Sequence, residues 1–171
     1  MTANDFARIL VCFDGSLHAR RACQLALEIG SRFHSEVTVA TVFPQIHGKS
    51  EPLLQSLVPI SDDGKTLAHL FDEVQEEAAR LSIPKVHIVY LEGDATDALE
   101  EFLAHHPQDL VVVGSRGLSR GRRLLLGSVS TELVQRLPAP VLVVRLTKER
   151  PRRVEPAAPT HDAHKRADPS G

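Results

Sequence analysis

The chain has no long apolar run and few cysteines, and both absences restrict the setting in which it works. No segment of its 171 residues approaches the roughly 18 consecutive apolar residues that cross a bilayer. Residues 1–7 lack a basic segment followed by an apolar stretch, so no secretory signal is expected. The two cysteines, Cys12 and Cys23, provide no disulfide framework and are predicted to be small buried side chains. We therefore expect a reduced, cytoplasmic protein with no membrane partner.

The chain also lacks a strong excess of charge of one sign. Its net charge is -2, and its basic residues are concentrated locally, which argues against a nucleic-acid partner and favours a small anionic ligand. The histidine pairs His105-His106 and His161 with His164 lack accompanying ligands, so no metal site made of protein side chains is expected. Hydrophobic residues make up 42% of the chain, which suits one globular domain.

Strand and helix patterns alternate along the chain. Apolar runs rich in Val and Ile predict strands, and the segments between them carry apolar residues at helical spacing. Near-continuous apolar strands are typical of a mainly parallel sheet with helices on both faces, which is an α/β fold. The stretch from Gln45 to Ser61 has no period and is predicted to be a loop. The predicted strands are Arg8–Phe13, Val37–Phe43, Val86–Leu91, Leu110–Val113 and Pro140–Val144, and the predicted helices start after Ser16, near Leu67, after Asp94 and at Val129.

The most informative motif is a glycine-containing segment after the fourth predicted strand. Nine residues separate the pair Gly114 and Gly117 from the next motif residues, Gly127 and Ser128. Closely spaced glycines let backbone N–H groups approach an anion, and a helix start offers unpaired N–H groups and a positive dipole end. The segment predicts a phosphate-binding loop and hence a nucleotide. From position 115 to position 130 it has no acidic residue and carries four arginines, which are Arg116, Arg120, Arg122 and Arg123.

A second loop with unusual residues, Asp14-Gly15-Ser16, follows the first strand. In a parallel sheet, ligands bind at the carboxyl ends of the strands where the strand order reverses. The two loops therefore flank one crevice if strands one and four are neighbours, which the residue pattern leaves open. It also leaves open whether Asp14 contacts a ligand or only forms an Asx-turn or N-cap, and whether the glycines serve only tight turns.

Several short motifs, taken in order, resemble the universal stress protein family. The resemblance extends from about Arg8 to Arg145, and Phe13 departs from the smaller residue or proline often found before the aspartate. It implies an adenine-nucleotide-binding α/β fold, with a single doubly wound parallel five-stranded sheet in the order 3-2-1-4-5. The motifs are Val11-Cys-Phe-Asp14-Gly15-Ser16, Thr41-Val42, Gly93, Val113-Gly114-Ser-Arg-Gly117, Leu125-Leu-Gly127-Ser128-Val129 and Pro138-Ala-Pro140-Val-Leu-Val-Val.

The family resemblance also implies a ligand and its contacts. The ATP-binding branch of the family carries Gly-x2-Gly-x9-Gly-Ser/Thr, which this chain matches. ATP is therefore the expected ligand, and Mg²⁺ or Mn²⁺ would arrive only with its phosphates. By position the resemblance assigns Asp14 to the ribose and Val42 to the adenine. It assigns Gly114, Gly117, Gly127 and Ser128 to the phosphates. Arg116 in the loop and Val129 and Ser130 at the helix start complete the set of candidate binding residues.

The glycine segment lacks the residues of phosphoryl-transfer enzymes. It contains no Gly-Lys-Ser/Thr sequence and no acidic residue. We expect a dimeric ATP-binding regulatory protein of the stress response, with slow or no hydrolysis and no catalytic residue. An adenylate-forming enzyme would need Ser-Gly-Gly-x-Asp-Ser after strand one, and a receiver domain would need clustered acids there. A nucleotide-free interaction module and a weak ATP-hydrolysing enzyme on the same fold remain the alternatives.

Two expectations concern the C-terminal part of the chain. Residues 1–146 are expected to form the nucleotide-binding domain. Residues 147–171 are rich in charge and proline and almost free of large apolar side chains, so they are predicted to be a disordered tail. In the family's strand order the last strand lies at the sheet edge, where apolar, β-branched residues leave backbone groups unpaired unless another chain adds to them. We therefore expect a homodimer through Val141–Val144.

Overall fold

The computed structural model describes residues 6–44, 64–117 and 126–146, which alternate between strands and helices. The predicted loop Gln45–Ser61, the arginines at 120, 122 and 123, and residues 147–171 lie outside the described residues. The elements in chain order are β1 (Arg8–Cys12), α1 (Leu17–Phe33), β2 (Glu36–Phe43), α2 (Leu67–Arg80), β3 (Lys85–Glu92), α3 (Ala95–His105), β4 (Leu110–Gly114), α4 (Ser128–Arg136) and β5 (Val141–Val144).

The five strands pair in parallel in the order β3-β2-β1-β4-β5, which confirms the order that the family resemblance implied. The chain passes from β1 to β2 on one side and later returns to place β4 on the other side. The strand order therefore reverses at β1, and the loops that follow β1 and β4 become neighbours. The adjacency that the residue pattern left open is present.

Alternate residues of β1 face opposite layers of helices, as the two-residue period of a strand requires. Ile9 and Val11 pack with α1 and α2, whereas Leu10 packs with α3 and α4. All three side chains are fully buried. Because both faces of the sheet are covered, its central strands are near-continuous apolar runs in the sequence.

Short polar side chains cap the starts of the first three helices. Ser16 Oγ accepts the N–H of Ala19 at 3.2 Å, and Thr66 Oγ1 accepts the N–H of His69 at 3.2 Å. Asp94 Oδ1 accepts the N–H groups of Thr96 and Asp97. The predicted helix starts at Ser16 and Asp94 are thus confirmed. The predicted boundaries differ by one residue at several ends, because the terminal turns and ladder ends are the weakest part of each element.

Candidate functional site

A cavity of about 290 Å³ opens at the carboxyl ends of the central strands. This volume is close to the lower end of the range for small-molecule sites, about 300–1,000 Å³. The wall combines the loops after β1 and β4 with the first turns of α3 and α4. All nine residues predicted from the sequence lie on this wall: Asp14, Val42, Gly114, Arg116, Gly117, Gly127, Ser128, Val129 and Ser130.

The floor of the cavity is a row of small side chains fixed by strand register. Cys12 in β1 lies opposite Ala40 in β2 and opposite Val113 in β4. Val42 follows Ala40 on the same face of β2 and continues the apolar surface. The sequence-based prediction missed seven wall residues. The alternation of Ala40 and Val42 along β2 was a usable signal, whereas α3 gave none, because its contribution depends on how the helix packs. The missed residues are Cys12, Phe13, Ala19, Ala40, Ala95, Leu99 and Val113.

Cys12 differs from the prediction that both cysteines are buried hydrophobic side chains. Cys23 is buried, at 2% exposure, but Cys12 is only partly buried and lines the cavity. Burial, and after it the negative charge of Asp14, raise the pKa of Cys12 to about 12. The thiol is therefore protonated at neutral pH and serves as an apolar part of the floor.

Asp14 is held in place by the chain on both sides of it. Its Oδ1 accepts the N–H of Ser16 at 3.0 Å, which is the Asx-turn foreseen as one of the alternatives. The preceding residue, Phe13, donates its N–H to Ala40 O at 2.8 Å and accepts a hydrogen bond from Thr41 Oγ1 at 2.7 Å. The carboxylate thus enters the cavity wall from a backbone anchored to β2.

Phe13 itself directs its ring away from the candidate site. The ring is buried among the side chains of α1 and α2 and lies 5.6 Å from the ring of Phe71, centroid to centroid. A second cavity, of about 340 Å³, lies between those two helices. Apart from Phe13 it contains none of the wall residues of the first cavity, and its charged rim includes the ion pair between Arg20 and Glu73.

Gly114 is required for packing as well as being part of the wall. A Cβ atom at this position would lie 2.7 Å from the His18 carbonyl carbon and 2.8 Å from the Ala19 nitrogen. Both atoms belong to the main chain of α1 and are not free to rotate away. The absence of a side chain at Gly114 therefore lets α1 pack directly on the end of β4.

Gly127 and Ser130 fix the start of α4 relative to β4. The N–H of Gly127 donates to Ser115 O at 2.8 Å, and Ser130 Oγ donates to Gly127 O at 3.0 Å. Gly127 is the N-cap, and no side chain of the described residues caps the helix. The first intrahelical bond runs from Thr131 to Gly127 O. The N–H groups of the preceding helical residues therefore have no intrahelical partner; they belong to Ser128, Val129 and Ser130.

The junction of the two loops brings His18 close enough to Arg116 and Asp14 for their charges to act on it. The loops are joined there by Ser16 Oγ, which lies 3.4 Å from Arg116 O. Burial lowers the pKa of His18, the charge of Arg116 lowers it further, and the charge of Asp14 opposes both. The net effect lowers the pKa of His18 and favours its neutral form.

Two further properties concern the described residues as a whole. None of their helices has both the length and the apolar character needed to cross a membrane. Nowhere in residues 6–44, 64–117 and 126–146 do three or more His, Cys, Asp or Glu side chains come together as a metal site.

The parallel sheet, with a ligand-sized cavity where its strand order reverses, defines a doubly wound α/β domain of the kind that binds small molecules at this crevice. Residues 5–145 match the model of the universal stress protein family, and the chain belongs to that family.

Individual relatives agree with this assignment. A universal stress protein of Thermus aquaticus is 30% identical over 142 residues, which cover 82% of this chain and 99% of the relative. The solved structure of universal stress protein UspA from Lactobacillus plantarum has a TM-score of 0.65 and 26% identity, covering 82% of this chain and 98% of the other. A universal stress protein solved in complex with cAMP has a TM-score of 0.65 and 25% identity, covering 84% and 99% of the two chains.

Proposed function

We propose that this universal stress protein binds an adenine nucleotide, ATP, in the cavity between β1 and β4, and acts as a cytoplasmic regulatory protein of the stress response. One observation carries the proposal. The residues predicted to bind a nucleotide come from four separate stretches of sequence, and all of them line one cavity where the strand order reverses. The relative solved with cAMP supports the adenine-nucleotide class, since it shares 25% of its sequence with this chain.

The phosphates would be bound at the start of α4. The N–H groups of Ser128, Val129 and Ser130 lack intrahelical partners and carry the positive end of the helix dipole. Arg116 adds a positive charge on the same wall. Gly127 would contribute differently, because its N–H is already bonded to Ser115 O. Its part is to bring the helix start close to the end of β4.

The nucleoside would occupy the rest of the cavity. The apolar floor around Cys12, Ala40 and Val42 suits the flat face of adenine. The carboxylate of Asp14 suits the ribose, since it accepts hydrogen bonds from hydroxyl groups.

The composition of the wall supports the proposal that hydrolysis is slow or absent. Asp14 is the one acidic residue on the wall formed by the described residues, and one of its oxygens already accepts the N–H of Ser16. Phosphoryl transfer requires groups that position the metal and the nucleophile, and a single engaged carboxylate does not supply both. A divalent ion would be held mainly by the nucleotide's own phosphates, as Mg²⁺ commonly is.

The proposed partner is a second copy of the chain, paired through β5. The carbonyl oxygens of Pro140, just before β5, and of Val144, at its end, accept the N–H groups of Val111 and Ser115, so both carbonyls point at β4. By strand alternation, the backbone groups of Val141 and Val143 point to the outer edge of the sheet. That edge is short and apolar, which suits pairing with a second β5.

Isothermal titration calorimetry of the full chain with ATP, AMP, cAMP and adenosine, with Mg²⁺ present, tests the proposal. We expect ATP to bind in the micromolar range, about 8 kcal/mol of binding free energy. AMP should bind less tightly, because it has fewer phosphate oxygens for the helix start. Equal affinities for ATP and adenosine would refute the phosphate site. Absence of binding by every adenine compound would favour a nucleotide-free interaction module.

A further inference from the structure

Gly117 lies directly against the carboxylate of Asp14. A Cβ atom at position 117 would be 2.5 Å from Asp14 Oδ2 and 3.7 Å from Asp14 Cγ. No other described atom lies within 4 Å of that Cβ position, once the residues adjacent to Gly117 in the chain are set aside. The glycine is therefore matched to one specific partner, and that partner belongs to the loop after β1.

The backbone of Gly117 does not itself demand glycine. Its φ angle is outside the left-handed region, unlike that of Gly15, which is 80°. The residue is also exposed, so an added methyl group would not enter the core. The obstacle to a side chain at position 117 is the Asp14 carboxylate.

The carboxylate has little room to yield to such a side chain. Its Oδ1 accepts the N–H of Ser16 in the Asx-turn, and the residue before it is bonded to β2 through both its N–H and its carbonyl. Rotating Oδ2 away from position 117 would therefore disturb the turn that presents the carboxylate to the cavity. A methyl group at position 117 would displace the carboxylate, the loop, or both.

We infer that Gly117 is a positioning residue for Asp14, and that the contact between them sets the preference of the site for ribose over deoxyribose. This inference rests on the proposed function, since it concerns how the same cavity reads the sugar of its nucleotide. The resemblance alone groups Gly117 with the phosphate contacts, whereas the geometry gives it a role in sugar recognition. A hydrogen bond from a sugar hydroxyl to a carboxylate changes affinity roughly tenfold or more.

The test measures sugar discrimination separately from phosphate binding. Calorimetry gives the Kd of the full chain for ATP, 2′-deoxy-ATP and 3′-deoxy-ATP, and the larger of the two deoxy-to-ribo ratios is the discrimination. The variants are Gly117→Ala, Asp14→Ala and the double variant. Gly127→Ala is the matched control, because a methyl group there would have its nearest neighbour at 3.5 Å, which is ordinary contact.

We expect the wild type to discriminate about tenfold and Gly117→Ala to bring the ratio close to one. In the Asp14→Ala background, Gly117→Ala should produce little further loss, since its effect passes through the carboxylate. Gly127→Ala should change the Kd values for the ribo and deoxy nucleotides by the same factor and leave the ratio at its wild-type value.

The results that would contradict the role of Gly117 differ from those that would contradict nucleotide binding. If the wild type binds none of the three nucleotides, the proposed function is wrong. If it binds all three equally, Asp14 does not read the sugar and the inference alone is wrong. The inference would also be wrong if Gly117→Ala kept the wild-type deoxy-to-ribo ratio of Kd values. It would be wrong as well if Gly117→Ala weakened ATP binding equally with and without the Asp14 carboxylate.

Discussion

The Cα atom of Gly114 faces the main chain of His18 so closely that a Cβ at position 114 would lie 2.7 Å from the His18 carbonyl carbon. Gly114→Ala should therefore push α1 away from the end of β4. We expect the free energy of unfolding to fall by about 1–3 kcal/mol, the usual cost of overpacking. Urea denaturation followed by circular dichroism measures this change.

Gly127→Ala is the matched control for stability, because the same methyl group there meets only ordinary contacts. Replacing glycine by alanine at an N-cap costs less than about 1 kcal/mol. Equal losses of stability from the two substitutions would show that the approach of β4 to α1 is not the constraint at Gly114.

The start of α4 should control phosphate binding. Gly127→Glu adds a negatively charged side chain at the start of α4, where the phosphates are proposed to bind, so it should both obstruct and repel the ligand. We expect ATP binding to fall below detection by calorimetry.

Ser128→Ala removes one hydroxyl and should cost about 1 kcal/mol of binding free energy, or roughly fivefold in the Kd for ATP. Asp14→Asn should weaken binding less than Gly127→Glu, because an amide still pairs with a ribose hydroxyl.

Val143→Pro should separate the proposed dimer without disturbing the sheet. The N–H of Val143 points to the outer edge by strand alternation, so proline removes a donor that β4 does not use. Light scattering should report a dimer for the wild type and a monomer for the variant. Leu142→Pro is the contrasting change, since its N–H faces β4 and its loss should destabilise the fold. A wild type that stays monomeric at high micromolar concentration would contradict the dimer.

His18 should make stability depend on pH. Burial and the charge of Arg116 lower its pKa in the folded protein, so the unfolded chain binds the proton more tightly. The free energy of unfolding should therefore decrease as the pH falls below about 6.5, the ordinary pKa of histidine. The contribution of His18 is lost completely once the pH is below its lowered pKa in the folded protein. His18→Gln should flatten this part of the stability curve, measured by chemical denaturation at several pH values. The same slope in His18→Gln as in the wild type would assign the effect to other groups.

The composition of residues 147–171 predicts that they add nothing to the domain. They contain several prolines, many charges and almost no large apolar side chain, so folding them would cost more entropy than burial returns. A chain ending at Leu146 should keep the melting temperature and the ATP affinity of the full chain. A drop of several degrees in melting temperature would indicate that the segment packs on the domain.

The sequence by itself predicted the strands and helices and named nine of the residues that line the cavity. Strands were predicted where buried parallel strands need uninterrupted apolar residues, and helix starts where Ser16 and Asp94 supply local caps. These signals are local, because they depend on residues within a few positions of one another. The strand order came only from the family resemblance, since the residue pattern did not place β1 beside β4.

Only the tertiary structure decided which neighbours each of those residues has. The row Cys12, Ala40 and Val113 depends on register between strands far apart in sequence, so no local pattern marks it. The same holds for the glycines, which look alike in the sequence. A Cβ atom would collide with the backbone of α1 at position 114 and with the carboxylate of Asp14 at position 117, whereas at position 127 it would make only ordinary contacts. Their differences arise from what the folded chain brings against each Cα, which is set by packing across the sheet and not by spacing along the chain.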